Sequence, residues 1–216
     1  MLFRSRQISH LLSADGLLVV EECDVEQNPF DILIADHLIH LSPTTITTLL
    51  TMAGFDALLV TTNWVGREIS VIAKRSIAHK FKGGISHSTR SSAWSNPEGT
   101  MAWLADFVSC ARSELASSRS FGIFGTSISG TWLSSHLDDE VDFFVDEDLN
   151  RIGRRHLGRP VRGPDSVDSS DSIYLALTPI VSRAIKTRMH ENPARWVLPP
   201  QEPFRSEEHT SELQSH

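Results

Sequence analysis

The stretch Ser120-Phe-Gly-Ile-Phe-Gly125-Thr-Ser-Ile-Ser-Gly130 carries the clearest fold signal in the chain. A short apolar run is broken by a glycine turn and passes directly into a helical pattern. That order, strand then glycine turn then helix, is the opening of a dinucleotide-type unit. Ser127 stands where the middle glycine of such a fingerprint would be, which blunts close approach by a pyrophosphate. Gly125 and Gly130 flank it. Asp146 closes the next apolar run, Val141 to Val145, about 20 residues on, where a ribose would be read.

Working outward, Ile173 to Leu177 reads as a further strand and Ile180 to Met189 as a helix. Upstream, Pro97 to Ser117 is a long amphipathic helix with Met101, Leu104, Ala105, Val108, Ala111 and Leu115 on one stripe. Strand, helix, strand, then strand and helix again is the rhythm of a small parallel sheet, so the fold class is α/β. Trp94, Trp103 and Trp132 are expected to pack between domains.

The first part of the chain has a different pattern. His10 to Ala14 reads as the tail of a helix, and Leu17 to Glu21 as a strand of buried type. Ser42-Pro43 starts a helix over Thr44 to Ala53, since serine caps and proline at the first position needs no N–H. Gly54 supplies its stop. Asp56 to Thr62 and Glu68 to Lys74 form a hairpin around Asn63-Trp-Val-Gly66. Ser76 to Ser95, rich in Ser, Gly, Lys and His, is a linker.

Between the first strand and the capped helix lie Asp36, His37, His40 and Ser42. A histidine beside a carboxylate suits general-base work, because its ordinary pKa is near neutrality and the carboxylate favours the cation. The spacing alone favours a plainer reading, two loop histidines that contact the backbone.

The segments Val19 to Glu26, Pro29 to Ser42 and Leu49 to Phe55 resemble the later half of class I S-adenosylmethionine-dependent methyltransferases, in particular the sugar C-methyltransferases. That group carries a Glu-His-x-x-Tyr-Phe-Ser type of segment before a helix ending in Ala-Gly-Phe. Asp36 stands at the Glu, His37 at the His, His40 at the Tyr, Leu41 at the Phe, and Ser42 matches. Ile34 stands where the group has a further tyrosine. Gly66 to Lys74 resembles the antiparallel last strand of the methyltransferase sheet. Phe121 to Leu133, Val141 to Gly153 and Leu157 to Val161 resemble the group's Rossmann-like C-terminal domain.

The resemblance implies a partial Rossmann-like methyltransferase sheet with its N-terminal half missing, followed by a small Rossmann-like α/β domain. It implies residues 1–78 as the end of the methyltransferase domain and 79–118 as linker and connecting helix. Residues 119–192 would be the C-terminal domain and 193–216 a disordered tail. Within the tail, residues 205–216 read like an in-frame translation of a sequencing adapter. The implied reaction is methyl transfer to carbon of a nucleotide-linked keto-sugar. His37 would be the base and Asp36 would hold its ring. His40, Ser42, Gly125, Ser127, Gly130 and Asp146 would face the substrate. An alcohol acceptor would make the same His37 the base of an O-methyl transfer. The cofactor S-adenosylmethionine normally lies at a Gly-rich turn that is not found before Leu17. The chain alone is therefore expected neither to bind it nor to be active, and its cofactor-binding residues stay unassigned. The alternative is a non-catalytic module that binds a nucleotide or nucleotide sugar.

The composition sets outer bounds. The 216 residues include 20 basic and 27 acidic ones, a formal charge of −7. Setting aside residues 205–216 leaves 19 basic and 24 acidic residues and a charge of −5. An acidic balance argues against nucleic acid or an anionic membrane as partner. Lys80-Phe-Lys82 and Arg151 to Arg162 are local basic stretches, and the second could meet the phosphate of a sugar nucleotide. No apolar run reaches the roughly 18 residues of a membrane helix. Two cysteines, Cys23 and Cys110, make neither a disulfide framework nor a metal site, so a reducing, cytoplasmic setting is expected.

Overall fold

In the computed structural model, apolar strands organise two separate sheets. The chain divides into two units, Met1–Pro97 and Glu98–His216. Residues 7–8, 11–13, 15–76, 96–137 and 140–201 are described. The expected helix tail at His10 to Ala14 lies partly outside them. The linker, apart from Ser76, and Lys80, Lys82, Trp94 and residues 202–216 lie wholly outside.

The first unit is built from β1 (Leu17–Cys23), α1 (Pro43–Met52), β2 (Phe55–Thr61) and β3 (Glu68–Arg75). Its sheet order is β1-β3-β2, and β3 runs antiparallel to both neighbours. β1 and β2 therefore point the same way, with the reversed strand between them. The register runs from Leu17 opposite Lys74 to Cys23 opposite Glu68. Ser42 caps α1 by accepting from the Thr45 N–H at 3.3 Å, and Pro43 takes the first helical position. Threonine is a poor helix former. Here Thr47, Thr48 and Thr51 turn their hydroxyls back onto the carbonyls four residues earlier. Ile46 and Leu50 then bury against Phe55, Ile69, Val71 and Ala73 of the sheet. That apolar contact holds a helix whose residues alone would not.

The second unit is built from α2 (Pro97–Ser117), β4 (Ser120–Phe124), α3 (Ile128–Ser135), β5 (Phe143–Val145), β6 (Arg155–His156), β7 (Arg159–Arg162), β8 (Asp171–Leu175), α4 (Pro179–Arg188) and β9 (Arg195–Val197). The sheet order is β6-β7-β5-β4-β8-β9, parallel throughout except for β6, which closes a hairpin with β7. From β4 the chain builds outward first through β5 and β7, then on the other side through β8 and β9. The order reverses between β4 and β8, which makes that gap a topological switch point in a Rossmann-like topology.

Helices cover both faces. On β8, the buried Tyr174 points to α2: its hydroxyl donates to the Phe107 carbonyl at 3.0 Å, and the two rings meet edge to face at 5.3 Å. Ile173 and Leu175 point the other way, into a cluster with Ile185 of α4 and Trp196 of β9. Alternating side chains thus feed two cores, as a strand covered on both sides requires. Trp103 and Trp132 both approach Phe107, so they belong to the second unit's own core instead of a domain boundary.

Several expected boundaries shift. α3 begins at Ile128, three residues before Thr131, and β8 is Asp171–Leu175 rather than Ile173 to Leu177. Residues 193–201, expected in the tail, contain the edge strand β9.

The glycine turn is built as its spacing suggests. Gly125 has φ +99°, a left-handed conformation that favours glycine. A Cβ on Gly130 would collide with the Gly125 carbonyl oxygen, so α3 can start this close to β4 only with glycine there. Gly130→Ala should lower the unfolding free energy by about 3 kcal/mol. Gly153→Ala, at φ +80° with open space around it, should cost only about 1 kcal/mol. Urea unfolding of the two variants checks the order. Equal losses would remove the close approach as the reason for Gly130.

Candidate functional site

The polar segment after β1 is drawn together around one carboxylate. Asn28 and Pro29 open a short 3-10 turn, Pro29–Leu33, in which the Asp31 N–H donates to the Asn28 carbonyl at 3.0 Å. Phe30 is buried and anchors the turn. The Val25 N–H donates to the Leu41 carbonyl and the Asp24 N–H to the Arg67 carbonyl, each at 2.9 Å, which ties both ends of the segment down. This leaves the Asp31 side chain 2% exposed.

Two histidines satisfy that carboxylate. His37 Nδ1 lies 2.7 Å from Asp31 Oδ1, and His40 Nδ1 lies 2.7 Å from Asp31 Oδ2. An ionised carboxylate only accepts, so each ring donates from Nδ1, and in a neutral ring the lone pair is then on Nε2. The carboxylate at the His37 ring is therefore Asp31 and not Asp36, which had been expected to hold it. Asp36 is exposed. His37, Asp36 and Asp31 line a pocket of about 390 Å³ together with Leu38, Ile39 and Leu41 and with Glu22 and Cys23 at the end of β1. A pocket beyond the carboxyl end of a strand is where α/β sheets commonly bind ligands.

The other expected site residues of this segment divide. His40 is held by Asp31 and does not line the pocket. Ser42 is 1% exposed, and its hydroxyl is spent on capping α1. Sequence reasoning missed Asp31, although it lies inside the quoted Pro29 to Ser42 stretch. The usable signal was an acidic residue flanked by Phe30 and Ile32, since a carboxylate in an apolar run has to find a partner.

Two neighbours have altered acidity. Burial pushes the Cys23 thiol up to about 11, and the Glu68 carboxylate 3.7 Å from its sulfur adds to this. Cys23 is thus a neutral thiol at pH 7 and a poor nucleophile. Burial also pushes Asp24 up to about 6, against the opposing bond from the Glu26 N–H, with the Glu26 and Asp31 charges adding to the rise.

In the second unit, Gly130 packs against the Gly125 carbonyl, and Asp146 at the end of β5 bonds to Thr126 of the same turn. Asp146 Oδ2 accepts from the Thr126 N–H at 3.2 Å and from the Thr126 hydroxyl at 2.5 Å. Arg151 donates to the same hydroxyl at 2.7 Å and to Asp146 at 3.2 Å. Burial alone would raise Asp146, but the bonds from Thr126, the Asp148 amide and Arg151 outweigh it, and the carboxyl sits below its ordinary value. Ser127 is the N-cap of α3 without a capping side-chain bond. On the adjacent strand end, the buried Thr178 Oγ1 has no hydrogen-bond partner among the described residues.

Among the described residues, no group of three or more His, Cys, Asp or Glu side chains is arranged to hold a metal ion. No helix among them is long and apolar enough to cross a membrane. The described part of the first unit has Gly16, Gly54 and Gly66, none in a strand-to-helix turn. No family model matches the chain, and no curated protein matches it either.

The buried Asp24 gives a pH test of this environment. The native state binds its proton more tightly than the unfolded chain does, so Asp24 lowers stability as pH rises from about 4 to about 6. Asp24→Asn keeps the acceptor for the Glu26 N–H and removes the charge. The variant should gain on the wild type across that window, by up to about 3 kcal/mol, with the gap constant above it. Urea unfolding at pH 4 and 7.5 measures it. A gap that does not open sinks the burial argument.

Proposed function

We propose that the chain is the acceptor-activating portion of a sugar C-methyltransferase-like enzyme. In this reading His37 is the general base that removes a proton from carbon beside a carbonyl, as in a nucleotide-linked keto-sugar. The observation that carries it is the 2.7 Å bond between His37 Nδ1 and the buried Asp31 carboxylate, at the wall of a pocket of substrate size. Asp31 fixes the tautomer with Nε2 unprotonated, and its charge stabilises the imidazolium once Nε2 has taken the proton. Support also comes from the β1-β3-β2 order, in which a reversed strand enters between two that run the same way. The resemblance takes Gly66 to Lys74 as an antiparallel last strand, and β3 is antiparallel to both neighbours.

The chain's own part ends with the enolate. Gly125, Ser127, Gly130 and Asp146 are proposed to bind a nucleotide at the second unit's own strand end.

A second reading treats the second unit as a non-catalytic nucleotide-sugar module. The reversal of strand order at β4 and β8, with an unsatisfied Thr178 hydroxyl beside it, favours that reading.

Hydrogen–deuterium exchange separates the two. A nucleoside-diphosphate 4-keto-hexose is incubated with the protein in D2O, and loss of the proton beside the carbonyl is followed by NMR. The wild type should exchange it faster than buffer. His37→Ala should reduce the enzymatic rate by about 10²-fold or more. Asp31→Asn should reduce it by about tenfold or more, because an amide offers only one acceptor to two ring N–H groups. Binding of the keto-hexose nucleotide without exchange would leave the module reading. Exchange unaffected by His37→Ala would remove His37 as the base.

A further inference from the structure

Asp31 serves two imidazoles, and the usual catalytic dyad has one. Its two oxygens are each taken at 2.7 Å, Oδ1 by His37 and Oδ2 by His40. The ring side chains are 38% and 28% exposed, whereas the carboxylate between them is 2% exposed. Charges linked through a buried carboxylate interact more strongly than the same charges in water. One added proton on either ring makes the cluster neutral overall, an imidazolium paired with the carboxylate beside a neutral imidazole. A second proton places two cations on one carboxylate.

We propose that His40 is a positioning residue for His37: through the shared Asp31 it competes for the one proton the cluster readily holds, leaving His37 neutral and able to act as base. This rests on the proposed role of His37. Among the described residues, groups that face the cluster include Glu22 and Cys23 of β1, Asp24 just after it, Asp36 on the same loop, and Glu68 of β3 through Cys23. Asp24 takes up its own proton near pH 6 and adds no charge below that, and the Cys23 thiol is neutral through the relevant range. The facing groups act on both rings, whereas the link through Asp31 makes each ring sense the other.

Interacting sites lose their protons in two macroscopic steps. The test is an NMR titration from pH 5 to 9 of protein carrying ¹³C at histidine Cε1, with the His37 signal identified by its loss in His37→Gln. In the wild type the His37 curve should be spread over more than one step. In His40→Gln the amide N–H can still donate to Asp31, so the geometry is kept while the competing charge is gone. The His37 curve should then lose the step it shares with His40 and move up by about half a unit or more, with any inflection shared with Asp24 near pH 6 remaining. The acidic limb of the exchange rate should move the same way, with the high-pH plateau within about threefold of wild type.

A single-site His37 curve in the wild type overturns the proposal without any variant. An unmoved curve in His40→Gln with a lowered plateau also overturns it, because His40 would then be only a prop. Coupled titration without wild-type exchange would keep the link between the histidines and remove the base. Exchange without coupling would do the reverse.

Discussion

A carboxylate removed from water has to be met by donors, and the organisation of the first unit follows from how Asp31 meets that demand. Both of its oxygens are bonded by ring N–H groups from a segment with little regular structure. Those two bonds hold His37 and His40 at fixed places on a loop that would otherwise be free to wander. The loop in turn ends on Leu41 and Ser42, which are buried and start α1. The contact that orients a candidate base is therefore part of the connection between β1 and the helix that covers the sheet. Removing the carboxylate would release both rings, while the Val25–Leu41 backbone bond still holds the route into α1.

Asp24 shows the same constraint with a different solution. It is nearly as buried as Asp31 but is met by the Glu26 amide at its own turn and by the Gln27 side chain. A carboxylate in that position gains proton affinity, as the rise to about 6 reflects. Two acidic side chains seven residues apart thus take different roles because different donors reach them. Their order in the sequence carries none of that information.

Much of the fold was legible because it depends on local chemistry. Ser42, Pro43 and Gly54 bracket α1 through a cap, a fixed φ and a left-handed stop, all properties of single residues. The runs Ser120 to Phe124 and Ile173 to Leu175 are apolar on both faces because helices cover both. What stayed hidden depends on distant neighbours. β7 and β9 carry arginines because they are short and lie toward the sheet's margins. Arg162, for example, sits over the Phe143 ring at 4.0 Å and borders Asp171. Such strands have no alternation to read. At the site, adjacency in the chain pointed to Asp36 as the partner of His37. A 3-10 turn places Asp31 there instead, and no period in the sequence announces a turn of that length.

The second unit has its own version of this. Asp146 was expected to face a ribose from the end of its strand, and it does stand at the strand end. Its carboxylate is engaged by Thr126 of the glycine turn and by Arg151. In that state it braces the turn. A ribose approaching Asp146 would have to displace Arg151 or the Thr126 hydroxyl, or share the oxygen not bonded to them, which accepts from the Asp148 amide at 3.0 Å. Arg151 is half exposed and reaches both acceptors from a loop, so it is the easier of these groups to move. A ligand bearing a phosphate could exchange places with the Asp146 carboxylate as the partner of Arg151. A neutral sugar carries no charge with which to do so.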